Sequence, residues 1–280
     1  SMPCDANRIT NDLETRFGER LPEIGSTTGP DLLASMAGRG SCRRFKTQPV
    51  SADLIRTLCA IALAAPSKSD LQQRDIIVLN DPAQRLRLVK LVAEQGWVGA
   101  APALLVFCGN NRRQRQLHEW RGHTFANDHL DAFFNATVDA AIALSAFVTA
   151  AEAVGLGCCP ISAVRNRAAE VSGLLNLPEH VFPVAGLALG HPEEKTSISL
   201  RLPLGLTVHE DRYTDATTPE AIDAYDVRRE SVQPYAQQRL SDSLGTTDRY
   251  GWSEDKARQY SVPERQDFGD FVRSKGFNLK

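Results

Sequence analysis

The feature that most constrains this sequence is a long helical pattern over residues 129–154, where apolar side chains lie almost all round the helix. A helix that is apolar on every side has to be buried. Its least polar stretch, residues 140–151, is shorter than the roughly 20 apolar residues that a membrane span needs. We therefore predict the central helix of a globular core, which the glycines of Gly155-Leu156-Gly157 should end.

Shorter patterns of helix and strand alternate around this long helix. Ser51 is a good N-cap for a helix whose apolar residues share one face. We predict helices over residues 5–17, 31–37, 51–64, 82–93 and 165–175, and strands over residues 76–79, 103–108, 158–161 and 181–189. The small number of strands for this length indicates an α/β or α+β sandwich, in which one sheet is covered by helices.

The bulk composition excludes several classes of protein. A length of 280 residues suffices for one large domain or two small ones, and a net charge of −2 gives no field that would attract nucleic acid or an anionic membrane. No basic-then-apolar leader is found at the N-terminus, and six cysteines without CxxC spacing are typical of thiols in a reducing compartment. We therefore expect a cytoplasmic protein without a disulfide framework.

Four separated segments hold candidate ligand-binding groups, although no GxGxxG follows a predicted strand and no GxxxxGK[ST] occurs. The segments are residues 39–45, 65–73, 155–165 and 201–213. Arginines and a hydroxyl in the first could grip a phosphate, and hydroxyls and amides in the second could bond the edge of a heteroaromatic ring. Small residues in the third let backbone N–H groups approach a ligand closely. Each segment alone is also typical of a polar loop or a helix cap.

In order and spacing, these segments together resemble the nitroreductase family, and more narrowly its NADPH-dependent bacterial nitroreductases and flavin reductases. The similarity is sharpest at residues 174–184 and 187–192, and it includes residues 250–253 and 271–277. It implies an α+β nitroreductase-like sandwich with a central mixed sheet flanked by helices, assembled as an intertwined homodimer.

The resemblance also implies a division of the chain. Residues 1–30 would be an N-terminal extension that lies outside the similarity, and residues 31–213 would form the FMN-binding core. After residue 213 the sequence becomes polar and poor in apolar runs. Residues 214–280 would therefore form a C-terminal helical extension that packs on the core or on the partner subunit.

The first segment corresponds to the family's phosphate-binding loop. The resemblance implies that Arg39, Ser41 and Arg43 hold the FMN phosphate. Gly40 stands where close relatives often have arginine, a departure that would loosen phosphate binding unless Arg44 substitutes.

The second and third segments supply the other flavin contacts that the resemblance implies. They are Ser67, Lys68 and Ser69, from the partner subunit, together with Gln72, Ile161, Ser162, Ala163 and Arg165. The family usually has Ile-Gly-Gly where this chain has Ile161-Ser162-Ala163, which puts bulk beside the flavin. A fixed cation at Arg165 would stabilise the negative charge of the reduced flavin.

The implied activity is a ping-pong oxidoreductase reaction. NAD(P)H would give a hydride to FMN and leave, and a nitroaromatic, quinone or related small acceptor would then take the electrons. No protein side chain is assigned as nucleophile or obligate acid, because the cofactor carries the chemistry. Arg228 and Arg229 are the implied contacts for the 2′-phosphate of NADPH, although a solvated helix face is an equal alternative for that pair.

Several alternatives stay open at this stage. The chain could be a flavin reductase that supplies free reduced flavin, or a non-catalytic FMN-binding redox sensor. His118, His123 and His129 lack HExxH spacing and have no cysteine nearby, so we expect loop histidines and no metal site. The adjacent Cys158 and Cys159 are expected to be small buried residues, since neighbouring cysteines rarely satisfy disulfide geometry.

Overall fold

The computed structural model describes residues 3–92 and 96–280. The predicted end of one helix at Ala93 lies outside the described residues. The helices are α1 Pro3–Phe17, α2 Pro30–Ala37, α3 Ala52–Leu63, α4 Pro82–Val92, α5 Arg112–Arg121, α6 Leu130–Ala153, α7 Ala168–Leu174, α8 Leu204–Thr207, α9 Pro219–Glu230, α10 Ser241–Leu244, α11 Trp252–Gln259 and α12 Phe268–Ser274. The strands are β1 Arg74–Leu79, β2 Ala103–Asn110, β3 Gly157–Ile161 and β4 Val181–Gly190.

The strands form one sheet in the order β1-β2-β4-β3. Each of the described strand pairs is antiparallel. The α+β class is therefore confirmed, but the prediction of a mixed sheet is wrong for the strands that the structure describes. The reason lies in two connections: β2 begins at the end of the sheet where β1 finishes, and β4 begins at the end where β3 finishes, so the strands of each of these pairs run in opposite directions.

The long helix α6 packs against β1, β2 and β3 and against α3. Phe147 of α6 meets Phe107 of β2 edge to face, with ring centroids 5.7 Å apart, and both rings are fully buried. By length and composition α6 is also apolar enough to cross a membrane, which is weak evidence, since core helices pass the same test. Its packing identifies it as the predicted core helix, although Phe134 and Leu130 are exposed, so its apolar surface is not buried all round.

Alternate residues of β2 point to opposite faces of the sheet, as strand geometry requires. Leu105 and Phe107 join the cluster that includes α3 and α6. Leu104 and Val106 join a second cluster with residues of α4 and α7. Helices therefore cover both faces of the sheet.

The chain divides into two compact units. We call residues 41–196 with 265–280 the sheet unit, and residues 1–40 with 197–264 the helical unit. Within the sheet unit, Phe271, Val272 and Phe277 pack in a cluster with Phe182 of β4. Within the helical unit, Ile9 of α1 packs with Ala34 and Ala37 of α2.

Two local predictions need correction. Residues 112–121 form helix α5, which was not predicted because Arg112 to Arg121 has almost no apolar periodicity. His118 therefore lies on a helix and not in a loop, and its Nδ1 lies 3.1 Å from the carbonyl oxygen of Thr124. The helix predicted from residue 165 begins later, because residues Ser162–Arg165 form a separate 3-10 turn.

Candidate functional site

Residues 65–73, between α3 and β1, are fixed by one buried carboxylate. Asp139 of α6 is fully buried and accepts hydrogen bonds from the Ser67 hydroxyl, the Lys68 N–H and the Gln73 N–H, each at 3.0 Å. Charge-assisted hydrogen bonds are about twice as strong as neutral ones. Asp139 therefore sets the shape of this loop from inside the core.

The same loop has an unusual backbone. Ser69, Asp70 and Gln72 have φ values of 52°, 54° and 56°, in the left-handed region that L-residues seldom occupy. The Gln72 N–H also donates to the hydroxyl of Ser67 at 2.6 Å. The predicted flavin contacts Lys68, Ser69 and Gln72 are exposed. The hydrogen-bonded backbone of the loop therefore holds these side chains at the surface.

Arg74, at the start of β1, holds the other side of this loop. Its buried guanidinium donates to the carbonyl oxygens of Leu63, Ala65 and Pro66 at 3.3, 2.6 and 2.7 Å. Carbonyls at the end of a helix have no partner within the helix. Arg74 thus caps α3 and ties residues 65–66 to the sheet.

The predicted phosphate segment lies against β3. The Cys42 N–H donates to the carbonyl oxygen of Cys158 at 3.0 Å. This approach depends on Gly157, because a Cβ added there would lie 2.7 Å from the Cβ and Sγ of Cys42. The glycine that we expected to approach a ligand therefore makes room for the phosphate segment itself. Beside it, Ser41 is half-buried and Arg43 is exposed.

The arginines of this segment differ in their surroundings. The guanidinium carbon of Arg43 lies 5.9 Å from the ring centroid of Trp97. Arg44 forms ion pairs with Glu193 at 3.5 Å and Glu194 at 3.3 Å, so it is held by carboxylates. Arg39 belongs to the helical unit, where its carbonyl oxygen accepts a hydrogen bond from Arg16.

Residues 161–165 continue directly from β3. Ile161 is buried, Ser162 is exposed, and Ala163 is half-buried. Arg165 donates from Nε to the carbonyl oxygen of Val184 in β4 at 3.0 Å, and its guanidinium lies 5.5 Å from the ring centroid of Phe268. A strand carbonyl and an aromatic ring therefore fix the position of this cation.

The sheet order separates two of the predicted flavin-binding segments. Residues 67–73 lead into β1 at one edge, and residues 161–165 follow β3 at the other edge. Neighbouring strands lie about 4.8 Å apart, so the two edges are roughly 14 Å apart. Residues 41–43 contact the start of β3 and residues 162–165 follow its end, so both lie along the β3 edge, whereas residues 67–69 do not.

Arg228 and Arg229 both lie on α9 in the helical unit. Arg228 donates to the carbonyl oxygens of Thr15 at 3.4 Å and Arg201 at 2.9 Å. Arg229 donates to the carbonyl oxygen of Leu200 at 3.2 Å and to the hydroxyl of Tyr225 at 2.9 Å. Both side chains are half-buried and support the packing of this unit, so the alternative of a solvated helix face does not describe them.

The cysteines of the sheet unit are packing residues. Cys158 and Cys159 are buried in β3, as expected. Burial raises the pKa of the Cys108 thiol to about 12 and also raises the pKa of Cys42, so both are neutral thiols near pH 7. Among residues 3–92 and 96–280, no group of three or more His, Cys, Asp or Glu side chains is placed to hold a metal ion.

Sequence reasoning missed Asp139 and Arg74. Asp139 directly precedes the apolar residues 140–151, and its hydrogen-bond partners lie 66 to 72 residues away along the chain. A charged residue inside an otherwise apolar helix is a usable signal, because a buried charge needs partners. Arg74 carried no comparable signal, since it stands at the polar start of a strand.

Family models match most of this chain. The model described as "Nitroreductase family" matches residues 36–191, and the model described as "Nitroreductase family, C-terminal domain" matches residues 199–280. Together they include both the β3-edge residues and the helices that follow the sheet.

Individual relatives agree with these matches. The chain is 32% identical to "FMN reductase (NADPH)" of Bacillus subtilis (strain 168) over 252 residues, which cover 89% of this chain and 98% of that protein. The fold is similar to that of B. megaterium NfrA2, with a TM-score of 0.80, 28% identity and coverage of 89% and 99% of the two chains. It is also similar to the NADPH:FMN oxidoreductase from Vibrio harveyi complexed with NAD+, with a TM-score of 0.75, 27% identity and coverage of 88% and 98%.

Proposed function

Because the chain belongs to the nitroreductase family, we propose that it is an FMN-dependent oxidoreductase that uses NAD(P)H to reduce nitroaromatics, quinones or related small acceptors. The observation that supports this proposal is the position of two predicted cofactor-binding segments, residues 41–43 and 161–165, along the β3 edge of the sheet. There the Cys42 N–H donates to Cys158 at the start of β3, and Arg165, which follows the end of β3, donates to Val184 of β4.

The side chains at this edge fit the chemistry of FMN. A phosphate needs hydroxyl, N–H and guanidinium donors, which Ser41 and Arg43 supply. Arg39 is a further candidate for the phosphate. Arg44 is engaged by Glu193 and Glu194, so we assign it to the loop's own ion pairs.

Arg165 is the proposed partner for the electron-rich side of the flavin ring. Since its Nε is bonded to Val184, its cation stays in one place without reorganisation when negative charge develops. Ile161, Ser162 and Ala163 precede it and would line the ring. The exposed Ser162 adds a hydroxyl where the family usually has glycine.

We propose a homodimer that shares the cofactor site between subunits. Within one chain, residues 67–69 and 165 lie at opposite edges of the sheet, so residues 67–69 would serve the site of the partner subunit, with Gln72 near the ring system. Sedimentation of the FMN-loaded protein tests this assignment. A dimer at micromolar concentration supports it, and a monomer contradicts it.

When bound, FMN supplies the redox chemistry by accepting two electrons from reduced nicotinamide and passing them to the acceptor in a ping-pong cycle. The side chains bind and orient the cofactor, and none is assigned as nucleophile or obligate acid. We place this activity in the cytoplasm.

A flavin reductase that releases reduced flavin is the second candidate function, because one relative carries the name "FMN reductase (NADPH)". Steady-state NAD(P)H oxidation with a nitroaromatic, a quinone or free flavin as acceptor separates the candidates. Turnover of the first two supports the proposal. Turnover of flavin alone supports the second candidate, and no turnover with any acceptor leaves a non-catalytic flavin-binding protein.

We further propose a preference for NADPH, with Arg228 and Arg229 as candidates for its additional phosphate. Each guanidinium would bind the phosphate through those of its N–H groups that do not donate to a backbone carbonyl. A charge-assisted contact is worth roughly 1.5–3 kcal/mol, or about tenfold or more in kcat/KM. The test is kcat/KM for NADPH and NADH in Arg228→Ala and Arg229→Ala separately, at constant ionic strength.

A further inference from the structure

The N-terminal helix α1 lies outside the part of the chain that the family models match, which begins at residue 36. A small apolar cluster holds α1 against α2 within the helical unit. Gly38 follows α2, and a Cβ added there would lie 2.5 Å from Oδ2 of Asp12 in α1. The glycine therefore lets α1 lie directly against the end of α2, where the matched part of the chain starts.

Arg16, near the end of α1, is buried and binds the chain just after α2. Its Nε and Nη2 donate to the carbonyl oxygen of Ala37 at 3.3 and 3.0 Å, and Nη2 also donates to the carbonyl oxygen of Arg39. Ala37 is the last residue of α2, and carbonyls at the end of a helix have no partner within the helix. Arg16 thus caps α2 and holds the turn that leads out of it.

The same guanidinium also binds a distant stretch of the helical unit. Its Nη1 donates to the carbonyl oxygen of Ser199 at 2.8 Å, and the backbone carbonyl of Arg16 accepts the Arg201 N–H at 2.8 Å. Two of the four candidate ligand-binding segments, residues 39–45 and 201–213, begin at these contacts. One buried cation from outside the matched part of the chain therefore joins the first residues of both segments.

The backbone that Arg16 holds has little stiffness of its own. Arg39 stands between Gly38 and Gly40, and glycine loses more conformational freedom on folding than any other residue. The hydrogen bonds to the carbonyls of Ala37 and Arg39 restrict this glycine-flanked residue from both sides. The position of Arg39 therefore depends on Arg16 more than on its neighbours in the sequence.

We infer that Arg16 is a positioning residue for the FMN phosphate, acting through Arg39. The inference rests on the proposed function, in which Arg39 is a candidate for that phosphate. The Arg16 guanidinium is buried among backbone carbonyls, so its role is to fix the backbone and not to contact the cofactor. A segment that is ordered before the ligand arrives does not spend binding free energy on being ordered.

The test is fluorescence quenching of FMN and of riboflavin by the cofactor-free, full-length protein. Arg16→Ala should weaken FMN binding roughly tenfold, the affinity that ordering the backbone of about one residue costs. Riboflavin, which lacks the phosphate, should bind wild type and variant alike. Arg20→Ala is the matched control, because Arg20 is an exposed arginine that donates to Asn11 and Glu14 of the same helix. It makes the same change in net charge and should leave both affinities unchanged.

Arg16→Lys is the second variant, and it keeps the buried charge while losing the forked geometry that reaches several carbonyls. Its FMN affinity should lie between those of wild type and Arg16→Ala, with riboflavin binding retained. Thermal unfolding shows which variants fold, and Arg16→Lys decides if Arg16→Ala does not.

Three results would overturn the role of Arg16 while leaving the proposed function in place. They are wild-type FMN affinity in a folded Arg16 variant, an equal loss for FMN and riboflavin, and a loss in Arg20→Ala as large as that in Arg16→Ala. An equal loss for the two ligands would mean that Arg16 only supports the fold. A wild-type protein that binds no FMN would instead refute the proposed function, and this role with it.

Discussion

Asp139 accepts a hydrogen bond from the hydroxyl of Ser67 at 3.0 Å, although the two residues are 72 positions apart in the sequence. Through this bond and the N–H groups of Lys68 and Gln73, one carboxylate inside the core helix fixes the loop assigned to flavin binding. The long helix is thus both the centre of the core and the support of the loop that we propose to bind the flavin.

Asp139→Ala should lower both the stability and the affinity for FMN. It leaves two backbone N–H groups and one hydroxyl without their acceptor, and each orphaned buried donor costs about 1–3 kcal/mol. Urea unfolding of the cofactor-free protein measures the stability, and flavin fluorescence quenching measures the affinity. FMN and riboflavin should lose affinity equally, because the loop is proposed to contact the ring and not the phosphate.

Asp131→Ala is the matched control, since Asp131 is an exposed carboxylate on the same helix, and among the described residues it accepts a hydrogen bond from Asn135 and none from the loop. It should leave FMN affinity unchanged. If Asp139→Ala binds FMN as tightly as the wild type, the loop does not depend on this carboxylate.

Arg43→Ala should weaken FMN binding by roughly 1.5–3 kcal/mol, the scale of a lost charge-assisted bond to a phosphate. Riboflavin, which lacks the phosphate, should bind wild type and variant alike. Comparing the two ligands by fluorescence quenching isolates the phosphate contact. Equal losses for both would mean that Arg43 acts through folding and not through the phosphate.

Gly157→Ala should destabilise the protein by about 1–3 kcal/mol, the usual cost of overpacking, and should weaken FMN binding. The new methyl group would lie 2.7 Å from Cys42 and would push the phosphate segment away from β3. Gly173→Ala in α7 is the control, because a Cβ at that position would meet no group from another part of the described chain within 4 Å. Gly173→Ala should be neutral or stabilising; matching losses in the two variants would refute the packing argument.

Lowering the pH should destabilise the sheet unit through His180. Burial is the largest cause that lowers the pKa of His180 below its ordinary 6.5, and the charge of Arg115 lowers it further. The hydrogen bond to the carbonyl of Gly276 and the carboxylate of Glu179 raise this pKa and offset part of the effect. The unfolded chain therefore takes up a proton first. The stability contributed by neutral His180 is complete above pH 6.5 and is lost as the pH falls from there through the folded pKa.

The measurement is urea unfolding at about pH 7.5 and pH 5.5, on either side of the ordinary histidine pKa. His180 has a φ of 66°, so His180→Asn is a suitable variant, because asparagine tolerates that backbone region. The loss of stability between the two pH values should be smaller in His180→Asn than in the wild type. An identical loss would show that other groups cause the pH dependence.

The elements with strong periodicity could be predicted from the sequence. The apolar pattern of α6 and the N-cap at Ser51, whose hydroxyl accepts the Leu54 N–H, indicated helices that the structure contains. Helix α5 could not be found this way, because its one side-chain pattern is a run of arginines and polar residues. The strand directions were also beyond reach, since a pattern of apolar residues does not say from which end of the sheet a strand is entered.

The residues of the candidate site also include some that the sequence could indicate and some that it could not. Arg43 and Arg165 could be named from the sequence, because arginines in short loops suggest anion binding and the resemblance gave their positions. Asp139 and Arg74 could not, since their roles depend on backbone atoms that only the folded chain brings together. Sequence patterns indicate the groups that would contact a ligand, whereas the groups that hold those contacts in place depend on tertiary structure.

The central claim, that the chain is an FMN enzyme driven by reduced nicotinamide, is tested most directly by the visible absorption spectrum of the purified protein. After FMN is added and excess is removed by gel filtration, the protein should retain the absorption of oxidised flavin. Anaerobic addition of NADPH should bleach that absorption, and a quinone added afterwards should restore it. A protein that retains no flavin, or retains flavin that NADPH and NADH both fail to bleach, contradicts the account.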